Sequence, residues 1–206
     1  TEKLFVTEDY KSFSRKFPFQ LTDDQERAIN DVILDLETGK LMDRLICGDV
    51  GFGKTEVALR TSFILANSGY QVALVAPTTI LVKQHYKSFS ERFKTTSLNI
   101  SSLSRMTSLK DRNKIKNDLK TGEVNIVIGT HALLSNDVDF NNLGLLIIDE
   151  EQHFGVAQKE KIKELQGNIH VLTLSATPIP RTLQLSLSGL KQLSLITTPP
   201  VNRLSI

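Results

Sequence analysis

The residues best suited to chemistry lie in the segment 48–55, which has the sequence GDVGFGKT. Two glycines five positions apart, followed by Lys and Thr, match the phosphate-loop pattern when an apolar run precedes them and a helix-forming run follows, as here. Glycines let backbone N–H groups approach phosphate oxygens, and the start of a helix adds a favourable dipole. The pattern predicts a nucleotide-binding loop in which Lys54 reaches the β- and γ-phosphates and the Thr55 hydroxyl ligates Mg²⁺; its residues are Gly48, Asp49, Val50, Gly51, Phe52, Gly53, Lys54 and Thr55.

A pair of adjacent carboxylates, Asp149 and Glu150, follows the apolar run 145–148. Such a pair alone is usually a solvated loop, but a phosphate loop upstream favours a catalytic interpretation. Asp149 would then hold Mg²⁺, and Glu150 would orient and deprotonate the attacking water. We assign the base to Glu150 because the metal ligand must stay ionised while the base must accept a proton.

Gln25 has two interpretations. Thr22 followed three residues later by Gln25 is a capping box that opens a helix, and from the sequence alone this structural role is favoured. Alternatively, Gln25 recognises the adenine edge while Phe17 or Phe19 covers the ring. The two roles are compatible with each other.

Hydroxyl-bearing and basic residues follow several other apolar runs. Ser175 and Thr177 precede a proline, so they indicate either a strand-to-turn transition or a relay to the acidic residues 149–152. Helix starts rich in hydroxyls and free N–H groups suit phosphates. We therefore predict contacts to a nucleic-acid backbone from Thr78, Thr79, Arg105, Thr130 and His131. The lysines at 110–120 are interrupted by acidic residues, which favours a solvated helix face for most of them.

These residues need a scaffold that brings distant segments together. Short apolar runs alternate with helical stretches, which predicts an α/β fold with a mostly parallel sheet, right-handed crossovers and helices on both faces. Ligands of such sheets bind beyond the carboxyl ends of the strands, where the motifs above fall. The predicted strands are 44–47, 71–76, 98–103, 124–128, 143–148, 171–174 and 192–196, and the predicted helices are 23–37, 55–67, 80–93, 108–120, 156–165 and 181–187.

Composition excludes several classes of protein. The chain has 206 residues, 40% of them hydrophobic, and a net charge of +2, so any nucleic-acid footprint must be local. A single cysteine, Cys47, excludes a disulfide framework and a cysteine-based zinc cluster. We find no apolar run near the ~20 residues of a membrane span and no signal peptide, and we expect a cytoplasmic protein without a membrane partner. His85, His153 and His170 lack metal-ligand spacing.

The order of these motifs resembles superfamily 2 helicases and translocases, and specifically their first RecA-like lobe. The segments FPFQLTDDQ, PTTILVKQHYKSFSERF, LGLLIIDEEQHFGV and LSATPIPRTL resemble the RecG-like branch, and within it the bacterial transcription-repair coupling factors. The resemblance implies a RecA-like P-loop NTPase lobe that uses ATP and Mg²⁺, with Gln152 serving catalysis and coupling to Ser175 and Thr177. It also implies a second motor lobe in cis, which supplies an arginine finger.

From this resemblance we expect residues 1–16 to form an N-terminal extension, 17–197 the motor lobe, and 198–206 a linker toward a second lobe. The whole protein would translocate on double-stranded DNA, displace stalled RNA polymerase and recruit excision-repair proteins through other domains. The lobe alone would be nearly inactive as an ATPase. The alternatives are a RecG-like branched-DNA helicase lobe, a nucleotide-gated binding module without turnover and a P-loop kinase; further hydroxyl-bearing strand ends disfavour the kinase.

Overall fold

The fold is centred on a seven-stranded sheet whose described pairings are all parallel. A computed structural model describes residues 1–49, 51, 53–177 and 192–198. The spatial order of the strands is β3-β4-β2-β5-β6-β1-β7. In chain order they are β1 (Asp43–Gly48), β2 (Gln71–Val75), β3 (Ile100–Leu103), β4 (Ile126–Gly129), β5 (Leu143–Asp149), β6 (His170–Ser175) and β7 (Gln192–Ile196).

Six helices in the described part of the chain cover the two faces of this sheet. The first four contribute to one hydrophobic core, and the last two to a second core on the opposite face. The helices are α1 (Glu8–Arg15), α2 (Asp23–Glu37), α3 (Lys54–Asn67), α4 (Thr79–Phe93), α5 (Leu109–Thr121) and α6 (Val156–Gln166).

Strand β5 shows why the sequence folds into three layers. Leu145 and Ile147 lie in the first core, whereas Leu146 and Ile148 lie in the second. Side chains alternate between the faces of a strand, so a continuous apolar run requires cover on both faces. The predicted α/β class with helices on both faces of a parallel sheet is therefore confirmed.

The predicted elements agree with the structure to within a few residues, with two exceptions. Helix α1 lies within the segment 1–16 that we predicted as an extension, and its amphipathic face joins the first core: the Phe13 ring stacks on Phe63 at a centroid distance of 4.4 Å. The predicted helix 181–187 lies outside the described residues, as does the predicted linker beyond Thr198. None of the described helices combines the length and apolarity that crossing a bilayer requires.

Strand order decides which motifs become neighbours. All the strands are parallel, so their carboxyl ends meet at one edge of the sheet. On one side of that edge, β5, β6 and β1 end in succession, followed in sequence by the carboxylate pair, the hydroxyls and the phosphate loop. On the other side, β3, β4 and β2 end together, followed by the residues that we predicted to contact nucleic acid.

Candidate functional site

The phosphate loop connects β1 to α3 with a backbone that favours glycine. Gly51 and Gly53 have φ angles of 80° and 92°, in the left-handed region, and Gly53 caps the helix that begins at Lys54. The Lys54 ammonium donates hydrogen bonds to the carbonyl oxygens of Gly48 and Asp49, so it lies folded over the loop. The predicted loop residues Val50 and Phe52 lie outside the described residues.

Lys54 and the two carboxylates act on one another electrostatically. Burial lowers the pKa of the Lys54 ammonium below its ordinary value, while the negative charges of Glu150 and Asp149 oppose that shift. Strand β6 alone lies between β1 and β5, and the three strands are parallel, so the phosphate loop and the carboxylate pair begin about two strand spacings, roughly 10 Å, apart. The structure therefore brings the lysine of the loop and the carboxylates of β5 into one site, although about 95 residues separate them in sequence.

Glu150 adopts an unusual backbone conformation. Its φ and ψ angles are 54° and 58°, and it is the one non-glycine residue with positive φ in the described part of the chain. Strain of this kind persists only where the surroundings hold it, and it concentrates at functional sites. Here the Glu150 amide donates to the Leu174 carbonyl at 3.0 Å, and the Ala176 amide donates to Glu150 Oε1 at 2.9 Å. The carboxylate is thereby drawn from β5 over the end of β6.

Gln152, Ser175 and Thr177 complete this arrangement. The Gln152 amide nitrogen donates to Glu150 Oε2 and to the Thr177 hydroxyl, the latter at 3.2 Å. The Ser175 hydroxyl accepts from the Thr177 amide at 3.1 Å, and so it shapes the turn that presents Thr177. We predicted a relay that joins Ser175 and Thr177 to residues 149–152. In the structure, Gln152 connects this segment to the Thr177 hydroxyl, whereas the Ser175 hydroxyl contacts the Thr177 amide.

Gln25 fulfils its predicted cap and also reaches the phosphate loop. Gln25 Oε1 accepts from the backbone amide of Thr22 at 2.8 Å, and the backbone amide of Gln25 donates to Thr22 Oγ1 at 3.2 Å. The two hydrogen bonds together form the capping box. A Cβ on Gly53 would lie 1.6 Å from Gln25 Nε2, so that amide group rests directly on the loop. Gln25, Phe17 and Phe19 line one cavity of about 370 Å³ together with Gly51, Gly53 and Thr55.

This cavity has an aromatic wall of the kind that an adenine ring needs. The rings of Phe17 and Phe19 meet edge to face at 5.6 Å, and Phe19 remains 50% exposed. Aromatic side chains offer flat apolar area to a planar ring. The predicted cap is confirmed, and the same residue lines the cavity next to the phosphate loop, while recognition of adenine stays a prediction.

The donor chemistry of the site suits Mg²⁺. Thr55 offers a hydroxyl and Asp149 a carboxylate, and Mg²⁺ is usually held by one or two such protein oxygens together with phosphate oxygens and water. Within the described residues, no group of three or more His, Cys, Asp or Glu side chains is placed to hold a metal ion. Thr55 lines the same cavity as Gly51 and Gly53 of the loop, so the chemistry of the residues present fits a nucleotide–Mg²⁺ complex.

Two buried polar contacts near this site were not predicted from the sequence. His85 Nε2 lies 2.7 Å from Asp149 Oδ2, and both side chains are buried. Glu56 accepts hydrogen bonds from Arg60, at 2.8 Å, and from Arg92. The Arg92 guanidinium also lies 4.3 Å above the Phe13 ring. The spacing of four residues within α3 could have predicted the pair of Glu56 and Arg60. The other contacts join separate elements, so no sequence pattern indicates them.

The five residues predicted to contact nucleic acid meet in one cavity. Its volume is about 690 Å³, and its walls include the ends of β2, β3 and β4. Thr78 caps α4 by accepting from the Leu81 amide at 3.2 Å, which leaves its O–H free to donate. The predicted residues in the wall are Thr78, Thr79, Arg105, Thr130 and His131.

Helix α5 adds two cations to this cavity. Arg112 and Lys116 line it, and Lys116 pairs with Asp137. Lys114 instead bonds Asp118 one turn away at 2.6 Å, on an exposed face. The solvated-face interpretation therefore holds for Lys114, while Arg112 and Lys116 face the cavity.

Comparison with known proteins identifies the family. Residues 22–186 match the model described as DEAD/DEAH box helicase, which covers more than half of the chain. The chain belongs to the DEAD/DEAH box helicase family. The matched segment contains the phosphate loop, the carboxylate pair and the five cavity residues, so the sites described above are parts of a helicase lobe.

Individual helicase-family relatives agree with the predicted branch. The chain is 58% identical over 206 residues to the transcription-repair-coupling factor of Rickettsia bellii and 55% identical over 199 residues to that of Haemophilus influenzae. These alignments cover 98% and 97% of this chain but only 18% and 17% of the two relatives. A solved structure of RecG bound to a three-way DNA junction superposes with a TM-score of 0.83 at 37% identity, covering 98% of this chain and 27% of that one. The chain spans less than a fifth of the length of these curated relatives.

Proposed function

We propose that this chain is the ATP-binding first motor lobe, over residues 17–197, of an ATP-dependent translocase on double-stranded DNA. The observation that carries the proposal is that β1, β6 and β5 are neighbouring parallel strands, which bring Lys54, Asp149 and Glu150 to one edge of the sheet, beside a separate cavity that holds the five residues predicted to bind the nucleic-acid backbone. A P-loop kinase has no need for that second cavity. A motor, in contrast, needs both a hydrolytic site and a grip on its track.

Each residue of the nucleotide site has a defined task in this proposal. Lys54 and the loop amides bind the phosphates, and Gln25 with Phe19 positions the adenine. Mg²⁺ held by Thr55 and Asp149 would neutralise charge on the β- and γ-phosphates. Glu150 orients a water molecule and takes its proton, while Gln152 holds the glutamate and links it to Thr177.

The cavity beside α4 would grip DNA through its phosphates. The helix start at Thr78 and Thr79 offers N–H and O–H donors, and Arg105 and His131 are exposed at its rim. Contacts of this kind fix position on the duplex and carry no sequence information. A motor that moves along any sequence needs this kind of contact.

We assign the whole protein to transcription-coupled DNA repair, in which it would displace stalled RNA polymerase and recruit excision-repair proteins through other domains. The names of the most similar curated relatives support this assignment. A RecG-like branched-DNA helicase is the second candidate, supported by the superposition on RecG. Release of a stalled polymerase from DNA by the whole protein supports the first, and unwinding of a three-way junction without such release supports the second.

The substitution Glu150→Gln tests the hydrolytic role in a protein that contains both motor lobes. DNA-stimulated ATP hydrolysis should fall by about 10²–10⁴-fold, the usual contribution of a positioned base. Nucleotide binding should persist, because the amide keeps the shape of the side chain. Glu160→Gln, on the exposed face of α6, is the control with the same change of side chain and should retain the rate. An unchanged rate in Glu150→Gln would instead support a nucleotide-gated binding module or a different base.

The isolated 206-residue chain should hydrolyse ATP slowly or not at all. An arginine finger contributes about 10³–10⁵-fold to the rate of other NTPases, and we place it in the second lobe. If this chain hydrolysed ATP as fast as a two-lobed translocase, the proposal that the catalytic site is shared between two lobes would be contradicted.

A further inference from the structure

The contact between His85 and Asp149 has no role in the chemistry described so far. The two residues come from separate elements, α4 and the end of β5, and their side chains are each about 10% exposed. An ionised carboxylate can only accept hydrogen bonds, so His85 Nε2 carries the proton and donates to Asp149 Oδ2 at 2.7 Å. This bond fixes the rotation of the carboxylate and leaves its other oxygen, Oδ1, for a further ligand.

We propose that His85 is a positioning residue for the metal site, which holds the Asp149 carboxylate in the orientation that Mg²⁺ binding requires. The inference rests on the function proposed above, in which Asp149 is a metal ligand. Carboxylates that bind metals are commonly fixed by a second hydrogen bond, and loss of such a partner typically weakens metal affinity or activity by 10–100-fold. His85 therefore acts on the ion through Asp149, without touching it.

The position of His85 in α4 gives this contact a further consequence. Helix α4 begins at Thr79, in the wall of the cavity proposed to bind DNA, and His85 lies six residues later. At about 1.5 Å per residue, one rigid helical segment of about 9 Å joins the two sites. The hydrogen bond thus ties the proposed metal ligand to the helix whose start would contact the DNA backbone.

The test measures how Mg²⁺ tightens the binding of a fluorescent, non-hydrolysable ATP analogue to a protein that contains both motor lobes. Nucleotide affinity is determined in EDTA and over a Mg²⁺ titration, for wild type, His85→Leu, His85→Gln and Gln84→Leu. Leucine removes the donor, glutamine keeps an N–H donor near the position of Nε2, and Gln84 is an exposed neighbour on the same helix.

For His85→Leu we expect the Mg²⁺ concentration at half-maximal binding to rise about 10–100-fold. The affinity in EDTA should stay unchanged, because the loop and the adenine cavity are intact. His85→Gln should recover most of the Mg²⁺ dependence, and Gln84→Leu should match wild type. A residue that only stabilises the fold would shift the melting temperature without this selective loss.

Two results would overturn the inference. Normal Mg²⁺ dependence in His85→Leu would show that Asp149 needs no such support, and equal impairment in His85→Leu and His85→Gln would show that the donor is irrelevant. Failure of the proposed function has a different signature, since wild type itself would then bind no nucleotide or bind it without regard to Mg²⁺.

Discussion

The two halves of the active edge are built in opposite ways. We call the carboxyl ends of β5, β6 and β1, with the loops that follow them and the first turn of α3, the nucleotide half, and the carboxyl ends of β3, β4 and β2, with the loops that follow them, the DNA half. In the nucleotide half the side chains are bonded to one another: Glu150 to Gln152, Gln152 to Thr177, and Asp149 to His85. In the DNA half, Arg105 and His131 stand exposed at the rim of an open cavity.

This difference corresponds to the two tasks that we propose for the lobe. Catalysis requires groups held within fractions of an ångström, which the hydrogen bonds among these side chains provide, and Asp149 and His85 are also buried. Gripping a backbone of repeating phosphates requires only donors and positive charge along a surface. If this comparison is sound, truncating a buried side chain that is bonded to its neighbours in the nucleotide half should lower stability, whereas substitutions in the DNA half should weaken DNA binding and leave the fold unchanged.

The largest effect on stability is expected from Glu56→Ala. Glu56 is 4% exposed and accepts from both Arg60 and Arg92, so its removal leaves two buried cations without their shared partner. Breaking a buried pair in this way costs about 3–5 kcal/mol. Denaturant unfolding measures the loss, with the exposed Glu160→Ala as control, for which a change within about 0.5 kcal/mol is expected. If the free energy of unfolding fell by less than about 1 kcal/mol, the hydrogen bonds of Glu56 would contribute little to the stability of the nucleotide half.

Next comes Gly53→Ala, compared with Gly69→Ala. Both glycines have a φ angle of 92°, so alanine carries a similar backbone strain of about 1–2 kcal/mol at each position. A Cβ meets nothing within 4 Å at Gly69, whereas at Gly53 it would collide with Gln25 Nε2. We expect Gly53→Ala to unfold more easily than Gly69→Ala and, unlike it, to weaken nucleotide binding, as measured by fluorescence titration. Equal nucleotide affinity in the two variants would show that Gln25 does not take part in nucleotide binding.

The smallest effect on stability is expected from a substitution in the DNA half. Arg105→Ala should weaken double-stranded DNA binding and reduce the slope of log affinity against log salt by about one, as expected for one lost phosphate contact. The unfolding midpoint should not change, because Arg105 is exposed. Lys114→Ala is the control, since Lys114 pairs with Asp118 on the exposed face of α5. An equal loss of DNA affinity in both variants would mean that overall charge, and not this cavity, binds DNA.

Much of this organisation could be predicted because it depends on local patterns. The continuous apolar run 145–148 requires a strand covered on both faces, and GDVGFGKT between a strand and a helix requires a phosphate loop. The bounds of α2 and β7 were predicted to the residue. Helix α1 was missed because its packing depends on contacts that the sequence cannot display. The Phe13 ring stacks on Phe63, and the Arg92 guanidinium lies above the Phe13 ring.

By itself, the sequence determined the class of fold, the position of the glycine-rich loop and the list of residues at strand ends, since periodicity, glycine spacing and residue type act over a few neighbouring positions. Tertiary structure alone decided the partition of those residues into two halves, because that depends on the strand order β3-β4-β2-β5-β6-β1-β7. It also decided that His85 donates to Asp149 and that Gln25 lies on Gly53. These contacts join residues that are 64 and 28 positions apart, and only the tertiary packing of α4 and α2 brings them together.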